Sequence, residues 1–164
     1  MNAKRVMPLK SDGYRKAIGD LLKKFRVKGL RMTPQRMVIF ETLLAATDHP
    51  SCEDLLSRLR PEMPSLSLDT VYRTVGTLER AGVLRKVATS EGAHRFDANL
   101  APHHHFVCDA CQRIWDFTWE SFDKLPTPEL LRDGRDIFVR QAELKGICLE
   151  CLKSTRPVRT PTGN

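Results

Sequence analysis

The sequence predicts an α+β protein: an N-terminal winged helix-turn-helix domain followed by a small α/β domain with a structural zinc site. Three observations lead there. Apolar residues recur at helical spacing as far as Gly82 and mostly at strand spacing beyond it. Two Cys-x-x-Cys pairs, Cys108/Cys111 and Cys148/Cys151, lie 36 residues apart between Cys111 and Cys148 in the back half. Charge is also unevenly spread: residues 1–90 carry 17 Lys and Arg against 9 Asp and Glu, and residues 91–164 carry 10 against 11. A basic front joined to a near-neutral back points to a polyanionic partner for the front alone. Charge by itself equally suits helices that are merely well solvated.

The elements follow in order. Ile18, Leu21, Leu22 and Phe25 form one helical stripe, with Gly29 as its stop. Thr33-Pro34 supplies an N-cap and a first-turn proline for a second helix, whose Val38, Ile39 and Leu43 face inward. Ser51 with Asp54 three residues on forms a capping box for a third helix, burying Leu55, Leu56 and Leu59. Ser67 caps the fourth, Leu68, Val71, Val75 and Leu78 share a face, and Gly82 ends it. The opposite face presents Thr70, Arg73, Thr74 and Thr77 with Tyr72 at its edge, a surface suited to phosphates and base edges in a major groove. Val83–Val87 and Ala93–Phe96 read as strands around a turn at Thr89–Gly92, the wing. A helical protein-interaction module fits the same pattern.

Beyond residue 100, His103–Cys108, Arg113–Phe117 and Ile137–Ile147 are expected as strands, with a helical piece at Glu129–Leu131. The expected organisation is therefore a mobile arm over 1–13, the winged helix over 14–98, the second domain over 99–153 and a disordered tail over 154–164. The 164 residues are 41% apolar and 29% charged, an ordinary globular balance. No apolar run approaches the roughly 20 residues that span a bilayer, so no membrane partner is expected. No apolar segment follows the basic residues of Met1–Lys10, so the cell interior is the expected location.

Two Cys-x-x-Cys turns can bring four thiolates to one tetrahedral ion, the closed arrangement of structural Zn²⁺. Disulfides and a redox pair are the alternatives, and an intracellular location disfavours the first. Cys52 stands apart and reads as a small core residue. In the run His103-His104-His105, strand alternation sends His103 and His105 to one face. Asp116 and Asp97 can add oxygen ligands, a mixed set suited to Mn²⁺, Fe²⁺ or Zn²⁺. A His-rich surface patch is the competing interpretation. A metallohydrolase would use some of these residues, but it leaves the winged helix without a role.

With these residues in view, the chain resembles the ferric uptake regulator family of bacterial metal-dependent repressors. The resemblance runs from about Leu21 to Cys151. It rests on Met32-Thr-Pro-Gln-Arg36, Ser67-Leu-Asp-Thr-Val-Tyr-Arg-Thr74, His103-His-His-Phe-Val-Cys-Asp-Ala-Cys111 and Cys148-Leu-Glu-Cys151. It implies a homodimer that is not an enzyme. The winged helix would bind a double-stranded, A/T-rich inverted repeat through Tyr72 and Arg73, and the second domain would dimerise. It also implies structural zinc on Cys108, Cys111, Cys148 and Cys151.

Arg95-Phe96-Asp97, His103, His105 and Asp116 are similar to the peroxide-sensing branch, where three histidines and two aspartates hold a regulatory Fe²⁺ or Mn²⁺. Iron sensors usually have a glutamate at Asp116, and zinc sensors usually bring a cysteine absent from 87–101. The resemblance places the first regulatory histidine at Met37. Four protein ligands are then expected, His103, His105, Asp97 and Asp116, or a recruited fifth at His94. Arg140 stands where the second regulatory site of some iron sensors has a histidine.

Overall fold

Each of the first four helices begins at a residue whose hydroxyl accepts a backbone N–H three positions on. Ser11, Thr33, Ser51 and Ser67 take the N–H of Tyr14, Arg36, Asp54 and Thr70. The computed structural model describes residues 11–87, 94–131, 137 and 139–154. Its chain divides into two compact units after Leu100. The wing turn expected at Thr89–Gly92 lies outside the described residues, as do residues 1–10 of the expected arm and 155–164 of the expected tail.

The first unit contains α1 (Asp12–Val27), α2 (Pro34–Ala45), α3 (Cys52–Leu59), α4 (Leu68–Ala81), β1 (Arg85–Val87) and β2 (Arg95–Asp97). The strands pair antiparallel, with Lys86 opposite Phe96. Leu21, Phe25, Ile39, Phe40, Leu55, Val71, Val75 and Leu78 form the centre of one core, and Cys52 is buried in it. Burying each large aliphatic or aromatic side chain stabilises the fold by roughly 1.5–3 kcal/mol. Burial also pushes the Cys52 thiol up to about 12, aided by the neighbouring Glu53 charge, which keeps it an inert core group. Gly82 ends α4 at φ 70°, a left-handed conformation that costs glycine little. Lys24 and Lys28 of α1 reach across to the carbonyls of Gly82 and Arg80 at that end of α4.

One residue of the first expected stripe is misplaced. Leu21 and Phe25 are buried, but Leu22 is 41% exposed. The core reaches only a narrow arc of α1, and Leu22 lies at its border.

The second unit contains β3 (His104–Cys108), β4 (Ile114–Phe117), α5 (Glu120–Asp123), a 3₁₀ turn at Glu129–Leu131, β5 (Glu143–Gly146) and α6 (Leu149–Lys153). Its sheet order is β4-β3-β5, with β4 antiparallel and β5 parallel to the central strand. The strand expected over Ile137–Ile147 is shorter than its apolar pattern suggests. At Arg140 the side chain is engaged by the carbonyls of Asp123 and Leu125 and by Thr127 Oγ1, and ladder pairing with β3 begins only at Glu143. Among the described residues no helix is long and apolar enough to cross a membrane.

Candidate functional site

The four paired cysteines converge. Their sulfurs all lie within 4.8 Å of one another. Cys108 ends β3 and Cys111 follows in a turn closed by Gln112, whose N–H donates to the Cys108 carbonyl and whose φ is 56°. Cys148 caps α6 and Cys151 lies within it. Pairing of β3 with β5 through Cys108 and Gly146 sets the two Cys-x-x-Cys segments side by side.

A ZnS₄ tetrahedron has sulfur–sulfur edges of roughly 3.8 Å, and Cys111 Sγ lies 3.9 Å from Cys148 Sγ. N–H groups of Cys148 and Cys151 point at Cys108 Sγ and Cys148 Sγ, as they would toward thiolates. Burial opposes ionisation of Cys108, but N–H groups of Cys148, Cys111 and Ala110 outweigh it and bring the thiol down to about 6. Cys151 is pushed up to about 12, first by its contact with Cys148, and burial raises Cys111. Four sulfurs this close are held together as thiolates by a divalent cation among them. The donor set fits zinc.

The second unit also carries an imidazole–carboxylate cluster. His103 and His105 lie on one side of β3, and their Nε2 atoms are 3.0 Å apart. Asp116 is the cross-strand partner of His105, which puts its carboxylate on the same face. Its Oδ1 is 3.4 Å from His105 Nε2 and 3.7 Å from His103 Nε2. His103 Nδ1 is 2.7 Å from the Ala101 carbonyl, a contact that places the proton on Nδ1 and leaves Nε2 with a lone pair. The side-chain amide of Gln141 lies 3.0 Å from His105 Nδ1. His104 points the other way, packed on Phe117 and Phe122 with Nε2 3.3 Å from Asp123 Oδ1. Strand alternation therefore separates the three histidines as expected.

The first unit holds a second imidazole–carboxylate pair, and its histidine is not one the sequence singled out. His49 and Asp97 are both buried and offer ligand atoms within 4.8 Å of each other. His49 lies in the loop before α3 with φ 51°. Two bonds tie that loop to β2, from Arg95 Nη1 to the His49 carbonyl and from the Phe96 N–H to the Pro50 carbonyl, and Arg95 Nη1 also donates to Asp54 Oδ2 of α3. Asp97 Oδ1 accepts the Asn99 N–H.

Met37, where a regulatory histidine was expected, instead packs half-buried against the helical core. His94, the expected substitute, is exposed, and an odd three-residue offset sets it opposite Asp97 along an extended segment. His49 carries no local sequence signal, because its burial and its φ of 51° become visible only in the structure. Replacing Met37 with leucine is accordingly expected to leave the affinity for Mn²⁺ unchanged, which calorimetric titration checks.

Two of the groove-facing residues need correction. Thr74 and Thr77 are only 3% and 6% exposed. Val71, Thr74, Val75 and Leu78 make one stripe at i, i+3, i+4 and i+7, so the buried arc of α4 is wider than its apolar residues alone suggest. The Thr77 hydroxyl donates to the Arg73 carbonyl. Thr70 is half-buried beside Ser67 Oγ. Tyr72 and Arg73 are exposed; the tyrosine is bonded to Glu53 and the arginine to Asp69.

Comparison with known proteins agrees with this organisation. Residues 27–137 match the model of the ferric uptake regulator family. The peroxide-responsive repressor of Staphylococcus aureus is 25% identical over 145 residues, 88% of this chain and 98% of that protein. The ferric uptake regulator of Helicobacter pylori, 21% identical, shares the fold with a TM-score of 0.73 over 87% of this chain and 95% of that one. The ferric uptake regulator of Pseudomonas aeruginosa with manganese is 26% identical, with a TM-score of 0.65 over 79% and 98% of the two chains. With a family match over two-thirds of its length, the chain belongs to the ferric uptake regulator family of metal-responsive transcriptional repressors, which are regulators and not enzymes.

Proposed function

We propose that the chain is a cytoplasmic, homodimeric repressor whose hold on DNA depends on a regulatory Fe²⁺ or Mn²⁺, and that peroxide relieves it when iron is bound. Members of the family bind DNA as dimers. The observation that carries the reading is the cluster on β3 and β4. Two imidazole Nε2 atoms 3.0 Å apart share one carboxylate oxygen, a mixed donor geometry that suits a bound cation.

His103, His105 and Asp116 would hold the metal in the second unit, and His49 and Asp97 form a second candidate ligand pair in the first. Both are mixed imidazole–carboxylate donor sets, suited to Fe²⁺ and Mn²⁺. Metal binding would favour the state of the dimer that holds DNA. Structural zinc on Cys108, Cys111, Cys148 and Cys151 would hold the second unit together independently. Tyr72 and Arg73, with Thr70 beside them, would meet duplex DNA, and an A/T-rich inverted repeat is the expected operator.

The peroxide-sensing reading is supported by similarity to the peroxide-responsive repressor over most of both chains and by aspartate at 116. Bound iron supplies the redox chemistry. With iron bound, one oxygen atom of hydrogen peroxide would go to a carbon of a ligand imidazole and the other would leave as water, a two-electron oxidation of the histidine. A histidine so altered is a poorer ligand, and the metal and the DNA are released.

Brief peroxide treatment of the Fe²⁺-loaded protein should therefore add one oxygen to His49, His103 or His105 and abolish DNA binding. The Mn²⁺-loaded protein should keep both intact, as peptide mass spectrometry and a mobility-shift assay will read. Unmodified histidines and unchanged DNA binding in the iron form would leave an iron- or manganese-responsive corepressor site and remove peroxide sensing.

A further inference from the structure

The two exposed side chains proposed to meet DNA are not left to solvent. Tyr72 Oη donates to Glu53 Oε1 at 2.6 Å, between α4 and the first turn of α3. Arg73 Nε lies 2.9 Å from Asp69 Oδ2, one turn back on α4 itself. A carboxylate on a surface that approaches phosphates repels them, so both acids weaken sequence-independent attraction. The Arg73–Asp69 pair is an ordinary exposed contact within one helix and holds little.

Glu53 differs, because its backbone is fixed from several directions. Ser51 and Asp54 close a reciprocal capping box around it. Arg95 bonds Asp54 and the His49 carbonyl just ahead of the same turn. Cys52, its neighbour, is buried in the core. A carboxylate carried on so fixed a turn limits where the ring of Tyr72 stands before DNA arrives, which lowers the ordering cost of binding.

We infer that Glu53 is a positioning residue for DNA recognition: it commits the Tyr72 hydroxyl, so that the tyrosine offers the duplex its ring and not a phosphate-seeking O–H. Together with its own charge, this makes Glu53 a determinant of sequence discrimination and not of affinity as such. The inference rests on the reading of α4 as the DNA-contacting helix. Electrostatics agree with the geometry: the bond to Glu53 is the main reason the Tyr72 phenol is pushed up to about 12, and the same bond holds the Glu53 carboxyl below its ordinary range.

The test compares the full-length, zinc- and Mn²⁺-loaded protein with its Glu53→Gln variant on two duplexes. One is enriched from a random pool by the wild-type protein, and the other is a scramble of the same composition. The ratio of the two affinities should fall severalfold in E53Q, whose amide oxygen accepts the Tyr72 hydroxyl more weakly than a carboxylate does, while the scrambled duplex binds as well or better. Tyr72→Phe should lower the ratio comparably, and the double variant should lose no more than either alone.

A second readout does not involve DNA. The chain has two tyrosines, so in a Tyr14→Phe background the ring-¹³Cζ resonance of labelled tyrosine reports Tyr72 alone. E53Q should move it at neutral pH. An unmoved resonance, or an unchanged affinity ratio with additive double-variant effects, overturns the assignment. If the wild type enriches no duplex at all, the DNA-binding reading fails and this inference fails with it. Enrichment by the wild type with an unaltered ratio in E53Q removes this inference alone.

Discussion

Cys148→Ser is expected to strip the protein of its zinc and unfold the second unit, with the dimer lost as a consequence. The magnitude follows from how little else holds that unit. Its fully buried aliphatic residues among those described are Val107 and Ile114, joined by Cys108 and Cys148 themselves. Two such side chains contribute only about 3–6 kcal/mol. Structural zinc bound by four thiolates contributes on the order of 10–16 kcal/mol near neutral pH. Removing one ligand therefore takes away the largest single stabilising contribution. Zinc content by native mass spectrometry and the thermal transition by circular dichroism check this together. A variant that keeps one zinc per chain and melts as the wild type does would remove the structural role of these cysteines.

The second large effect is expected at the histidines. His103→Ala and His49→Asn should each lower Mn²⁺ affinity about a hundredfold or more, since changes even to groups behind the ligands cost 10–100-fold. Metal-stimulated DNA binding should vanish while zinc content and melting stay near wild type. Asparagine is the appropriate replacement at 49, because its φ of 51° would strain an alanine by roughly 1–2 kcal/mol and blur the result. The His103 ring is held by the Ala101 carbonyl and by packing against His105, so its loss leaves the β3–β4 ladder in place. Unchanged Mn²⁺ dependence in His49→Asn would confine regulation to the second unit. Unchanged dependence in His103→Ala would move the sensor away from β3 altogether.

How much of this was legible in the sequence depends on whether the signal is local. Ser51 and Asp54, Ser67, Thr33-Pro34 and Gly82 act within four residues of themselves, and each stands where its pattern placed it. The cysteine pairs encode a ligand geometry in their spacing. His103, His105 and Asp116 followed from strand alternation plus one antiparallel register. The misreadings all depend on tertiary surroundings. Thr74 and Thr77 are polar, yet they continue the buried stripe, and the Thr77 hydroxyl is satisfied by its own helix, so polarity did not mean exposure. His49 joins Asp97 through a loop fastened by Arg95, 46 residues away in sequence. The expected Ile137–Ile147 strand has the right residues, but its first part engages the 123–127 turn through Arg140.

The contacts of the basic residues bear on how strongly salt should govern this repressor. Lys24 and Lys28 are engaged by carbonyls at the end of α4, Arg58 by Asp48 and Arg95 by Asp54. A side chain that keeps such a partner in the complex neutralises no phosphate and releases no condensed counterion. Each true phosphate contact steepens the fall of log K with log salt by about 0.9. The slope per subunit should therefore be far shallower than the 17 basic residues of the front half imply. Binding that survives ordinary intracellular shifts in ionic strength leaves the metal, and not the salt, in control of occupancy.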